Sequence, residues 1–241
     1  KLQVSKKGPR DFVTKTDKYV EKILIEELSK TKKNYSFLSE EVGYIENKDK
    51  DNIWIIDPID GTTNFLHGIP HFAICIALKS KKEIISGLIF DPIKDEIFYA
   101  EKDKGAYLNN KKIEVSSSIT LSDSLIATGF PYIHDNYYDL SFDIFKDFYD
   151  ATQGVRRLGA ASLDLCFVAM GRYAGFYEFN LKSWDICAGL LIAKEAGATC
   201  SDWNNKPVPF SGKRILCNNG LIHNEMMKIL NKNKYKIYYD L

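Results

Sequence analysis

The sequence is short of soft metal ligands. It has four histidines and three methionines, and its five cysteines (Cys75, Cys166, Cys187, Cys200, Cys217) show no CxxC spacing. They are odd in number and sit in apolar contexts such as "FAICIAL" and "LDLCFVAM". This argues against a zinc ribbon or disulfide framework and predicts buried, reduced thiols in a cytoplasmic protein. Charge of one sign is also missing. The net charge is +1, so no global basic field speaks for nucleic acid. Lysine clusters at Lys6-Lys7, Lys79 to Lys82 and Lys228 to Lys236 are mixed with acids or lie near an end, and read as solvated faces. No apolar run is long enough to span a bilayer, and no signal-peptide pattern is visible. Repeats, low-complexity tracts and Pro/Gly/Ser linkers are absent too. What remains is an ordinary globular composition in 241 residues, enough for one large domain or two closely packed ones.

The hydrophobic pattern divides the chain. "DFVTKTDKYVEKILIEELSK" carries Val20, Ile23, Leu24 and Leu28 at helical spacing, with Thr16 or Asp17 as N-cap. "NYSFLSEEVG" reads as a short strand, a charged loop "ENKDKDN" follows, and Ile53 to Ile56 form the next strand. "HFAICIALK", "EIISGLIFD" and "DEIFYAEK" read as an antiparallel meander, and "GAYLNNKKI" as a hairpin with Asn109-Asn110 at its tip. The character changes near Ser116. Strand "DSLIATGF", helix "DLSFDIFKDFYDAT", strand or turn "GVRRLG", helix "AASLDLCFVAMGR" and strand "YAGFYEF" lead to helix "SWDICAGLLIAKEAGA", capped by Ser183 and stopped by Gly197. The expected class is α/β, with an α+β half over 1–118 and an α/β half over 119–241. The two halves form one compact unit with the ligand site at their interface.

The chemistry-bearing residues are acids. In "WIIDPIDGTTNF", Asp57 and Asp60 close a strand around Pro58, and Gly61 permits a tight turn. That turn can aim both carboxylates and the Ile59 carbonyl at one point. Of Glu40 and Glu41 only one can face the same way. Asp185 lies in the first turn of an apolar helix, where an acid also suits the helix dipole. Each acid alone has a bland explanation as a turn, a surface charge or a dipole partner. If Glu40, Asp57, Asp60 and Asp185 converge, they cannot all ionise unaided. Two divalent cations balance them, and all-oxygen ligands favour Mg²⁺ over Zn²⁺. That leads to phosphoryl chemistry with two metals. Backbone N–H groups of Gly61 and Thr62 can hold phosphate, and the Thr62 hydroxyl, backed by Asp17, can orient a water. His67 and His71 read as structural.

"DPIDGTTNF", "WDICAGLLIAKEAG" and the upstream "SEE" together resemble the inositol monophosphatase family. "GPRDFVTKTD", "ATGFPY", "RRLGAASLDL" and "YEFNLKSWD" are similar to its bacterial branch, so the resemblance covers essentially the whole chain. It implies a layered αβαβα sandwich of the sugar-phosphatase superfamily, a homodimer, a Mg²⁺ requirement of two to three ions per site and inhibition by Li⁺. By motif, the metal ligands are Glu40, Asp57, the Ile59 carbonyl, Asp60 and Asp185. Asp17, Thr62 and Glu40 are the catalytic set. Glu40, Ile59, Asp60, Gly61, Thr62, Gly159, Ala160, Ala161, Glu178 and Asp185 meet the substrate, and Lys6 lies on a mobile loop beside the metals. Cys187 stands where alanine is usual, and the helix that normally precedes the Lys6 loop is not in this sequence.

The expected reaction is hydrolysis of inositol 1-phosphate by metal-activated water. "TTNF" lacks the lysine and glutamate of relatives acting on 3′-phosphoadenosine 5′-phosphate and the arginine of histidinol-phosphate relatives. Fructose 1,6-bisphosphate or a broad range of sugar phosphates stays open as the substrate. A binding role with the transcription machinery, as in some bacterial relatives, is the alternative of another class.

Overall fold

The computed structural model describes residues 4–6, 12–31, 34–131 and 136–236. Strands β1 (Val4–Lys6) and β2 (Phe12–Thr14) form a small antiparallel ribbon ahead of helix α1 (Lys15–Ser29). Strand β3 (Tyr35–Ser39), strand β4 (Gly43–Ile45) and the long strand β5 (Asp49–Asp60) follow, then the short helix α2 (Thr62–Leu66). The meander is β6 (Ala73–Ser80), β7 (Glu83–Asp91) and β8 (Glu96–Glu101), and the hairpin is β9 (Ala106–Leu108) with β10 (Lys111–Lys112). Together these strands build an eight-stranded sheet in the order β10-β9-β8-β7-β6-β5-β3-β4. Asn109 and Asn110 both take positive φ at the hairpin tip, which is what a two-residue type I′ turn demands.

The second sheet is laid down by β11 (Leu125–Thr128), β12 (Gly154–Arg156), β13 (Gly175–Phe179), β14 (Thr199–Ser201) and β15 (Arg214–Asn218), in the order β12-β11-β13-β15-β14. Helix α3 (Asn136–Ala151) precedes β12, α4 (Ala161–Ala169) precedes β13, α5 (Ser183–Glu195) precedes β14, and α6 (His223–Leu230) with α7 (Asn233–Lys236) closes the described chain.

Side-chain parity fixes the layers. Ile53 and Ile55 face the large shared core, whereas the buried neighbours Phe37 and Ile56 lie outside it, on the face that α1 covers. In the five-stranded sheet Ala127, Phe176, Ile215 and Cys217 join the shared core, while Ile126, Tyr177 and Leu216 join a second core with Ile144 and Phe148 of α3 and Met226 of α6. Successive residues of one strand thus feed opposite cores. The order is α1, eight-stranded sheet, α4 with α5, five-stranded sheet, α3 with α6: an αβαβα sandwich. Every residue of α4 is buried, Ser162 and Asp164 included.

The structure departs from the sequence reading at five points. The N-cap of α1 is Thr14, whose hydroxyl accepts from the N–H groups of Thr16 and Asp17. Asp17 is therefore the third helical residue and returns a bond to the Thr14 N–H, a capping box. The N-cap of α5 is likewise Lys182, one residue before Ser183, because Asp185 accepts from the Lys182 N–H at 2.7 Å. The charged stretch expected as a loop joins β5 from Asp49, which pairs with Tyr35. Of the apolar positions expected to face inward from α1, Val20, Leu24 and Leu28 are half-buried but Ile23 is exposed, and the fully buried positions are Asp17 and Glu21. The strands and helices after Gly197 were not foreseen.

Helix α5 lies close on both sides because of two glycines. A Cβ on Gly87 of β7 would come within 2.9 Å of the Ala188 carbonyl, and one on Gly189 within 2.8 Å of Leu165 Cβ. Gly87→Val is expected to destabilise the protein by roughly 1–3 kcal/mol through overpacking, read as a lower urea midpoint.

Candidate active site

The end of β5 shapes the site. The ladder between β5 and β6 is interrupted between Asp57 and Asp60, where Pro58 has no N–H to give. Within that break the Ile59 N–H donates to Asp57 Oδ1 at 2.9 Å, which holds the buried carboxylate in one direction. Gly61 then takes φ +90°, and a Cβ there would meet the carbonyls of His71 at 3.1 Å and Gly159 at 3.3 Å. The turn expected to cradle phosphate therefore lies directly against the loop 159–161 expected to meet substrate. Asn64 of α2 locks the two together by donating to the carbonyls of His71 and Leu158, both at 2.8 Å.

The acids converge by charge. Burial raises Asp57 well above the ordinary carboxylate range, and Glu40, Asp60, Asp185 and a hydrogen bond shared with Glu40 push it further. Burial and the charges of Asp60, Glu40 and Glu178 do the same to Asp185. Burial also raises Asp60, against hydrogen bonds from Ser162 and Ala161 and the nearby Arg157 that lower it. No group of three His, Cys, Asp or Glu side chains among the described residues is already drawn into metal-ligand geometry. The charges of Glu40, Asp60 and Asp185 nevertheless all bear on Asp57. A divalent cation fits this set as the charge that offsets them, and the donors are all oxygen, the chemistry of Mg²⁺.

Asp17 is fully buried. Its Oδ2 accepts from the Thr14 N–H and hydroxyl, and its Oδ1 lies 3.3 Å from Thr62 Oγ1. Thr62 Oγ1 is also 2.9 Å from the Ile59 carbonyl. The hydroxyl has one proton to give to either acceptor, and its lone pairs stay available to a water.

Glu178 belongs to the same field. Burial and Asp60 push it up to about 8 against the opposing pull of Arg157. It lies over Gly129, where a Cβ would come within 2.0 Å of its Oε1, so only glycine fits in "ATGF". Lys6 ends β1 opposite Phe12. Its side chain and the loop 7–11 that follows lie outside the described residues.

Some residues of the site were missed by sequence reading. The Ser162 N–H donates to Asp60 Oδ2 at 2.8 Å, and its hydroxyl donates to the same oxygen. Asp60 thus caps α4 from another sheet, where its own N-cap Ala160 has no side chain able to do so. Arg157 is the cation set among Asp60, Asp164 and Glu178. Glu21, fully buried, accepts from the Ser39 hydroxyl and from the N–H of Glu41 at 3.0 Å. It anchors the turn that carries Glu40. Its spacing of four from Asp17 was the available signal, because i and i+4 share a helix face.

The chain matches the Inositol monophosphatase family over residues 1–235. It belongs to that family. It is 42% identical over 231 residues to the inositol-1-monophosphatase of Rhizobium meliloti, covering 96% of this chain and 87% of that protein. It is also 42% identical over 229 residues to the putative Nus factor SuhB of Neisseria meningitidis, covering 95% and 88%. Among solved structures, the extragenic suppressor protein suhB of Bartonella henselae superposes with a TM-score of 0.92 at 43% identity, over 96% of this chain and 89% of that one. An IMPase/NADP phosphatase complexed with Mg²⁺ and phosphate superposes with a TM-score of 0.85 at 26% identity, over 97% and 87%. The protein is accordingly a phosphatase with the family's fold.

Two outcomes are expected. Glu21→Ala removes the acceptor shared by the buried Ser39 hydroxyl and the Glu41 N–H and should cost about 1–3 kcal/mol, with Glu21→Gln, which keeps an acceptor, recovering most of it in urea unfolding. The cation-free protein should lose stability as pH rises. Glu178 holds its proton more tightly when folded, so the stability it contributes is full below its ordinary 4.5 and lost as pH climbs through about 8. Thermal melts in chelator across that window test this, and Glu178→Gln should flatten the profile.

Proposed function

We propose that the protein is a Mg²⁺-dependent phosphomonoesterase that hydrolyses inositol 1-phosphate to inositol and phosphate. The observation that carries the reading is the mutual charge coupling of Glu40, Asp57, Asp60 and Asp185 beside the Gly61 turn. A chain that gathers four acids, Asp57 buried and Glu40, Asp60 and Asp185 half-buried, calls for cations, and cations held by carboxylates suit a phosphate substrate. The Mg²⁺- and phosphate-containing relative supports the choice of metal. A Staphylococcal relative soaked in 100 mM LiCl, described as an inhibitory complex, supports sensitivity to Li⁺.

In this reading Glu40, Asp57, Asp60, Asp185 and the Ile59 carbonyl hold two to three Mg²⁺, which supply charge to offset the carboxylates and polarise the phosphate oxygens. Thr62 accepts a hydrogen bond from the attacking water while donating towards Asp17, so a proton can leave the water as its oxygen approaches phosphorus. The backbone N–H groups of Gly61 and Thr62 hold the phosphate in line. Asp185, Glu178 and the loop Gly159 to Ala161 meet the hydroxyls of the leaving alcohol. Residues 1–118 supply most of the metal side and 119–241 most of the substrate side. Positioning and charge neutralisation carry the rate, with no covalent protein nucleophile.

The proposal takes the enzyme to be a cytoplasmic homodimer, as the family resemblance implies. Among the described residues no helix is long and apolar enough to cross a membrane. The name of the Neisseria relative favours a second role, association with the transcription machinery. An Asp57→Asn protein used as bait in cells separates the two, because binding should survive the loss of catalysis.

The first test is phosphate release with Mg²⁺, with and without Li⁺, from inositol 1-phosphate, glycerol 2-phosphate, fructose 1,6-bisphosphate, histidinol phosphate and 3′-phosphoadenosine 5′-phosphate. Inositol 1-phosphate should lead, and Li⁺ should inhibit. Faster turnover of the bisphosphate would shift the substrate to the sugar phosphates. Asp57→Asn should lower turnover by at least ~10²–10³. Normal Mg²⁺-dependent activity in that variant would overturn the site.

A further inference from the structure

Far from the carboxylates, the edge strand β14 pairs antiparallel with β15, and Cys200 stands directly opposite Cys217. Their Sγ atoms are 3.3 Å apart, closer than two sulfurs in van der Waals contact. Cys217 is fully buried, while Cys200 is only partly covered. No strand lies beyond β14 in the sheet, and Cys200, packed beside the shared core, is the partly exposed member of the pair. Cys75, Cys166 and Cys187 are all buried, and no other pair of thiols among the described residues is in contact.

We propose that Cys200 and Cys217 form a reversible oxidation site, a dithiol that a hydroperoxide converts to a cross-strand disulfide. Cys200 is the entry thiol. Its sulfur attacks the outer peroxide oxygen, the O–O bond breaks, and Cys200 becomes a sulfenic acid with release of water or an alcohol. The Cys217 sulfur then attacks the Cys200 sulfur, the S–O bond breaks, and the hydroxide leaves as water with the Cys217 proton. Two thiols are oxidised by two electrons in all, and one peroxide is reduced. The neighbouring Cys200 thiol and burial hold the Cys217 thiol protonated, so Cys217 is not the first point of attack. The product staples the edge strand to the sheet, and a small thiol restores both cysteines by exchange. The pairing also shields Cys200 from irreversible oxidation, because its neighbour captures the sulfenic acid within a side-chain movement of little more than an ångström.

The test treats the full-length protein with hydrogen peroxide, quenches with iodoacetamide and reads the intact mass and a non-reducing peptide map. The expected product is lighter by about 2 Da, with Cys200 and Cys217 in one linked peptide, and it returns to the starting mass with dithiothreitol. Cys217→Ser should instead accumulate the sulfinic acid at Cys200, heavier by about 32 Da, and Cys200→Ser should react little. Should either variant fold poorly, the wild-type peptide map decides alone. Recovery of both thiols alkylated after peroxide overturns the proposal, as does a sulfinic acid at Cys200 of the wild type without the linked peptide.

Discussion

Carboxylates dislike each other's company, and at low dielectric they dislike it more. Glu40, Asp57, Asp60, Asp185 and Glu178 are nevertheless gathered between two sheets. What makes this tolerable is the backbone. Asp17 and Asp185 each sit in the first turn of a helix and bond the N-cap N–H, and Asp60 accepts from the first turn of α4. Helix N-termini carry partial positive charge, so Asp60 and Asp185 of this set, and Asp17 beside it, are placed where a helix begins. The layers of the sandwich, and the glycines that let α5 approach both neighbours, can be understood as the scaffold that brings those helix ends together.

This scheme also divides labour within each acid. Asp60 gives Oδ2 to Ser162, Asp57 gives Oδ1 to the Ile59 N–H, and Asp17 gives Oδ2 to Thr14. One oxygen fixes the carboxylate and the other is left to work. Fixed carboxylates need little reorganisation when charge develops, the condition under which electrostatic stabilisation is most effective. Glu40 is steadied differently, through the Glu21 carboxylate that holds the backbone on its far side.

Much of this was legible in the residues. The meander, the Asn109-Asn110 hairpin and the buried helix α4 followed from period and turn chemistry, and the acids were found because "DPIDG" and "SWDICAG" place them at element ends. What was hidden were relations across long sequence distances. Nothing local in "AASLDL" says that Ser162 will bond an aspartate a hundred residues earlier, and Glu21 looks like any charged position on a helix until the Ser39 turn packs over it. The N-caps slipped by one to three residues because Thr14 competes with Thr16 and Asp17, and Lys182 with Ser183, and only the return bond from the third helical residue decides. The last strands escaped because β14 is three residues long and β15 is buried on both faces, so neither alternates in a readable way.

The Asp60 to Ser162 bond also bears on the order of events at the ribosome. The strand carrying Asp57 and Asp60 emerges early, but the helix that Asp60 caps comes about a hundred residues later, and α5, which covers the large sheet and brings Asp185, later still. Contacts of such sequence separation form late. A nascent chain that has made only the first sheet would expose the apolar face destined for α5, and its acids would lack the caps that orient them. The site is thus assembled by the same docking step that buries the sheet, so the protein gains its chemistry only once its most aggregation-prone surface has been covered.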